Sequence, residues 1–98
     1  MAPLDMHQAA ELKTSLEPEW SIVDDGRALY REIGFAGFNR TMAFANAVAW
    51  IANTEGHHPV MCVRYGRCDL TWTTNAINGL SVNDFICAAK VDQLLHAV

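Results

Sequence analysis

An α+β fold is predicted, a four-stranded antiparallel sheet with helices packed on one face, and three observations predict it. Two segments, one in the middle of the chain and one at its end, carry apolar residues at the 3.6-residue spacing of a helix with one buried face. Two other stretches are rich in alternating or β-favouring residues, each interrupted by a glycine-containing turn, and read as hairpins. A helix separates the hairpins. The order is therefore helix, strand, strand, helix, strand, strand, helix, and strands that come as hairpins favour antiparallel pairing. With 98 residues, 51% of them hydrophobic, the chain is expected to make one domain, residues 1–98, since a chain of this size buries roughly two-thirds of its unfolded surface.

Asp5-Met6-His7-Gln8 has the form of a capping box and starts a helix near Met6 that need not pass Ser15, because Pro18 disfavours helix in the residue before it. Trp20 to Val23 and Arg27 to Phe35 are the strands of the first hairpin, with Asp25-Gly26 as its tight turn. Gly34, Gly37 and Asn39 end the strand pattern, and Asn39 is placed as the N-cap of a helix from about Arg40 to Asn53. On that helix Phe44, Ala45, Val48, Ile51 and Ala52 share the face that would lie on a sheet, whereas Trp50 points away from it. Trp50 is either a contact for a partner or covered by the N-terminal segment.

Gly56 suits the end of the helix and Pro59 favours an extended His58. Met61, Val63 and Tyr65 then alternate with Cys62 and Arg64. Gly66-Arg67 is read as the turn, and Cys68, Leu70 and Trp72 alternate with Asp69, Thr71 and Thr73. Ser81-Val82-Asn83-Asp84 is a second capping signal, and the helix after it carries Cys87, Ala88, Val91, Leu94 and Leu95 on one face.

A net charge of −4 and a pI near 5.4, with the seven Lys and Arg residues scattered, argue against binding to nucleic acid or to an anionic membrane. No apolar run approaches the ~20 residues of a membrane span, and Met1-Ala2-Pro3-Leu4-Asp5 has no signal-peptide pattern. The cytoplasm is the expected location. Cys62, Cys68 and Cys87 are odd in number and without CxxC spacing, which reads as reduced, mostly buried thiols, and the alternation places all three in packed elements.

The residues best suited to chemistry are His57 and His58, side by side where the helical pattern stops and strand alternation begins. Imidazole both gives and takes protons near neutrality. Adjacent residues of an extended segment point to opposite faces, so the two should play different parts. The competing reading has one ring on a helix-end carbonyl and the other in solvent. A metal site lacks third and fourth ligands at any recognisable interval. Asp84 has a structural explanation as a cap, although the same position puts a carboxylate beside any polar group bound at that helix end.

His57-His58-Pro59, Thr73-Thr74, Gly79-Leu80-Ser81 and Asn83-Asp84-Phe85, with Thr41-Met42-Ala43-Phe44 in the preceding helix, resemble the pterin-4a-carbinolamine dehydratase family from about Trp20 onward. The resemblance implies a homodimer or homotetramer, no metal or other cofactor, and dehydration of a 4a-hydroxytetrahydropterin to the quinonoid dihydropterin. By position, His57, His58 and Asp84 match the family's site residues. Asn75 stands where the family has a further catalytic histidine, Asn53 where a titratable group is usual, and Val60 where an acidic residue commonly follows the His-His-Pro. An amide has no accessible change of protonation.

Two functions are consistent with this pattern. In the first, favoured by the two asparagines, the chain is a non-catalytic relative with a vestigial pocket, similar to the dehydratase-like assembly factors for RuBisCO found with α-carboxysomes. RuBisCO subunits would then be partners and Trp50 a contact. In the second, the chain is an active dehydratase whose substrate is a pterin.

Overall fold

A computed structural model describes residues 2–97. Its elements follow the expected order: α1 (Met6–Lys13), β1 (Ser21–Val23), β2 (Ala28–Gly34), α2 (Phe38–Glu55), β3 (Val60–Arg64), β4 (Arg67–Trp72), a single 3-10 turn (Asn75–Ile77) and α3 (Val82–His96). The four strands form one antiparallel sheet in the order β1-β2-β4-β3. The chain leaves β2, crosses through α2 to the far edge as β3, and turns back as β4 into the middle.

Register decides which side chains meet the helices. Leu29 lies opposite Trp72, Arg31 opposite Leu70 and Ile33 opposite Cys68, and on the other side of β4 Met61 opposes Leu70. These residues line the inner face, where Leu29, Ile33, Cys68, Leu70 and Trp72 join Phe44, Ala45, Val48 and Ala52 of α2 and Phe85, Cys87, Ala88 and Val91 of α3 in one core. The outer face carries Tyr30, Glu32, Arg67, Asp69 and Thr71, the polar half of the same alternation.

Several local expectations are corrected. Asn39 does not cap α2. The helix begins two residues earlier than expected, at Phe38, and Gly37 is its cap with φ 110°, a conformation open to glycine. Arg67 belongs to β4, opposite Arg64, so the turn is Tyr65-Gly66. The first hairpin does not close on Asp25-Gly26 alone. Asp24, Asp25 and Gly26 all adopt positive φ, which Asp tolerates better than most residues, and Val23 pairs with Ala28 across them. β3 is an edge strand with only Met61 half-buried, leaving Val60, Val63 and, in the turn beyond, Tyr65 exposed. Trp50 is 71% exposed, so the N-terminal segment does not cover it. No helix among the described residues is long and apolar enough to cross a membrane.

Candidate active site at the junction of two helices

Gly56 ends α2 in a left-handed conformation, its N–H donating to Asn53 O and the next N–H, that of His57, donating to Ala52 O at 3.1 Å. This paired arrangement is the usual glycine-terminated helix end. It turns the chain sharply, and the His57 side chain reaches Asp84 in the first turn of α3, while His58 is exposed.

The other side of the site is built by the capping box of α3. Asp84 is fully buried, and its carboxylate accepts from three donors. Ser81 N–H reaches Oδ2 at 2.9 Å, the Thr74 hydroxyl reaches Oδ2 at 2.8 Å, and His57 Nε2 lies 2.5 Å from Oδ1. The Thr74 and Ser81 hydroxyls are 2.7 Å apart. Because Thr74 spends its one proton on Asp84, Ser81 donates to Thr74, and the hydroxyls line up toward the carboxylate. A buried charge is costly unless paired and hydrogen-bonded, and here both conditions are met, with the positive end of the α3 dipole adding to them.

His57 has its side chain 15% exposed and stacks on the indole of Trp72, ring centroids 5.7 Å apart and planes inclined by 22°. Its Nε2 is committed to Asp84, whereas Nδ1 has no partner among the described residues. The geometry thus gives one imidazole a carboxylate behind it, an aromatic face beside it and one free nitrogen at the surface. Such a group can take or deliver a proton while its charge is balanced from behind.

Of the residues singled out from sequence, the structure joins His57 and Asp84 directly and leaves His58, Asn53 and Asn75 exposed around them. Asn75 opens the 3-10 turn immediately after Thr74, and Asn53 is in the last turn of α2. His7 and His96 lie elsewhere, beside Glu11 and Glu17 respectively. Among the described residues, no group of three or more His, Cys, Asp or Glu side chains is placed to hold a metal ion. Burial pushes the Cys87 thiol up to about 11 and also raises that of Cys68, so neither is a ready nucleophile. Cys62, expected to be buried, is exposed on the edge strand.

A profile of the pterin 4 alpha carbinolamine dehydratase family matches residues 2–94. The chain belongs to this family. It is 48% identical over 94 residues, 96% of this chain and 83% of the relative, to a protein of Legionella pneumophila (strain Lens) provisionally named pterin-4-alpha-carbinolamine dehydratase. It is 50% identical over 93 residues, 95% of this chain and 80% of the relative, to a protein of Nitrosomonas eutropha with the same provisional name. Among solved structures it is similar to a transcriptional coactivator/pterin dehydratase from Brucella melitensis, with a TM-score of 0.87, 28% identity, and coverage of 94% of this chain and 97% of that one. A pterin dehydratase-like protein described as a RuBisCO assembly factor in the α-carboxysome shares the fold at a TM-score of 0.67 and 22% identity, covering 78% of this chain and 88% of that one.

Three contributors to the site escape a reading by residue type. Thr74 and Ser81 are recognisable as motif and cap, but that both serve the carboxylate which holds His57 depends on the Thr74–Gly79 bridge folding residues 74–81 back on themselves. Trp72 reads as core, and it is core, yet one face of it touches the imidazole.

Proposed function

We propose that the protein is an active pterin-4a-carbinolamine dehydratase, which reverses the order in which the sequence alone ranks the two functions. The observation that carries this reading is the His57–Asp84 pair, with His57 Nδ1 left without a partner among the described residues. A carboxylate kept only as a helix cap is already satisfied by backbone and hydroxyl donors, and a vestigial pocket has no need to pair it also with a side chain that titrates and can be reached. The names of relatives at about half identity support the same reading.

Loss of the 4a hydroxyl needs a proton for the departing oxygen and removal of a proton from the pterin ring. His57 delivers the first from Nδ1, and Asp84 steadies the imidazolium before transfer. His58, exposed beside it, receives the second and passes it to water. Asn53 and Asn75 hold the substrate by hydrogen bonds and move no protons. The protein acts as a homodimer or homotetramer, with the exposed edge strand β3 as one available surface.

The test is quinonoid dihydropterin formation from a 4a-hydroxytetrahydropterin. Saturable turnover by the native protein, abolished in His57→Ala, is expected; a rate equal to the uncatalysed one overturns the proposal. The second reading, assembly of RuBisCO in association with carboxysomes, draws on Trp50, an exposed indole on the outer side of α2, and on the absence of a titrating group at Asn53 and Asn75. It requires that co-expression with carboxylase subunits raise the yield of assembled enzyme and that Trp50→Ala remove the gain.

A further inference from the structure

The Asp84 contact fixes only one point on the His57 ring, and a ring held at one nitrogen remains free to swing about the hydrogen-bond axis. We infer that Trp72 is a positioning residue for His57, its indole face supplying the second constraint that keeps Nε2 on Asp84 and Nδ1 outward. The kinetic side of this inference rests on the dehydratase reading; the structural side does not.

Three observations carry it. The two rings lie nearly parallel, 22° apart, with centroids at 5.7 Å, an offset stack. Trp72 is fully buried, and the chain after it is pinned by Thr73 Oγ1 donating to Arg27 O at 2.6 Å and by Thr74 donating to Asp84. The platform is therefore fixed on the same strand end that holds the carboxylate. Finally, the Trp72 Nε1–H is buried without a hydrogen-bond partner among the described residues. Stranded donors of this kind are uncommon and costly. An apolar side chain would fill the space without that cost, so space-filling alone does not account for an indole here, whereas a broad flat face against an imidazole does.

The experiment combines nuclear magnetic resonance of the histidine rings with steady-state kinetics on the whole protein and on Trp72→Phe and Trp72→Leu. In the native protein the carbon-bound ring protons of His57 should resonate upfield of those of His7, His58 and His96, and its Nε2 proton should be protected from exchange. In Trp72→Leu the ring signals should join those of the other histidines, the Nε2 proton should broaden into solvent, and kcat should fall about tenfold with KM within about twofold, the signature of a misaligned group. Trp72→Phe, which keeps a flat face, should retain the shifted signals, the protected proton and at least about a third of kcat. Should the leucine variant fail to fold, the native protein and the phenylalanine variant still decide: unshifted His57 ring protons in the first, or loss of the protected proton in a folded form of the second, overturn the inference. So does a folded leucine variant that keeps the protected proton or full kcat. Absence of turnover in the native protein would defeat the dehydratase reading alone, and the resonance results would still stand for or against Trp72.

Discussion

Helix α3 buries two carboxylates, and they are buried for different ends. Asp92, 8% exposed, accepts from Glu17 N–H at 2.9 Å, Trp20 Nε1–H at 2.7 Å and the Arg31 guanidinium at 2.8 Å. Asp84 accepts from a backbone N–H, a hydroxyl and an imidazole. Each has three donors, and each ties α3 to distant parts of the chain. What separates them is the charged partner. Arg31 never gives up its proton and lies beside Trp20, its carbon 5.9 Å from the ring centroid, so the Asp92 cluster is a clasp that fixes the connector after α1. His57 can give up its proton, its side chain is partly exposed, and its Nδ1 has no partner among the described residues. Burial of a carboxylate is thus no sign of chemistry until its partner is one that titrates and can be reached.

The largest effects expected test that division directly. His57→Ala should lower kcat by ~10²–10⁴, the usual loss on removing a general acid or base, and Asp84→Asn should lower it by about 10² or more, because an amide presents its own N–H groups to donors and offers no charge to the imidazolium. Comparison of initial rates with the uncatalysed reaction checks both. Asp92→Asn should instead cost about 3 kcal/mol in stability by leaving Arg31 without its counter-charge. Urea unfolding measures it, and kcat per folded molecule should be unchanged. A fall in kcat comparable to that of Asp84→Asn would erase the distinction between the two carboxylates.

Much of this contrast is foreshadowed in the residue pattern, though not all of it. Alternation in β4 and the stripe on α2 depend only on which residues are apolar, and they place the core correctly because burial of apolar area dominates folding. The Ser81-to-Asp84 cap is equally local, its partners three residues apart. The His57–Asp84 pair joins residues 27 apart in sequence, and its formation depends on how sharply Gly56 turns the chain, which spacing does not encode. Asn39 misleads for a related reason: its side chain is a good cap, yet Gly37 alone fits the positive φ that the strand-to-helix connection imposes. The Asp92 clasp did leave a trace. Arg31 occupies an inward position between Leu29 and Ile33, and Asp92 follows Ala88 by one helical turn on the buried stripe. Two opposite charges on core faces imply a meeting inside.

Asn75, which stands where the resemblance implies a further histidine, gives a smaller effect in the opposite direction. Asn75 is exposed one residue beyond Thr74, so Asn75→His adds a titrating group at the rim without disturbing the buried network. A gain of about tenfold in kcat is expected, below the full worth of a general acid or base because its surroundings are not arranged for it. Stopped-flow rates with and without the substitution measure the gain. An unchanged rate would mean that His57 and His58 already meet the demand for protons.

The finest test removes one equivalent donor from each carboxylate. Thr74→Val deletes the hydroxyl on Asp84, and Trp20→Phe deletes the indole N–H on Asp92; each should cost about 1–2 kcal/mol, since a hydrogen bond to a charged group is lost from a buried site. Thermal or urea unfolding should therefore rank the two as near equals. Their kinetics should differ. With Thr74 gone, Ser81 Oγ loses its acceptor and Asp84 Oδ2 keeps only the backbone donor, so the carboxylate can rotate and His57 with it, and kcat should drop about threefold to tenfold. Trp20→Phe loosens only the connector after α1, about two turns along α3 from Asp84, and kcat should stay within experimental error of the native value. Equal kinetic losses in the two variants would mean that α3 transmits any loosening along its length, and that the two ends of the helix do not work independently.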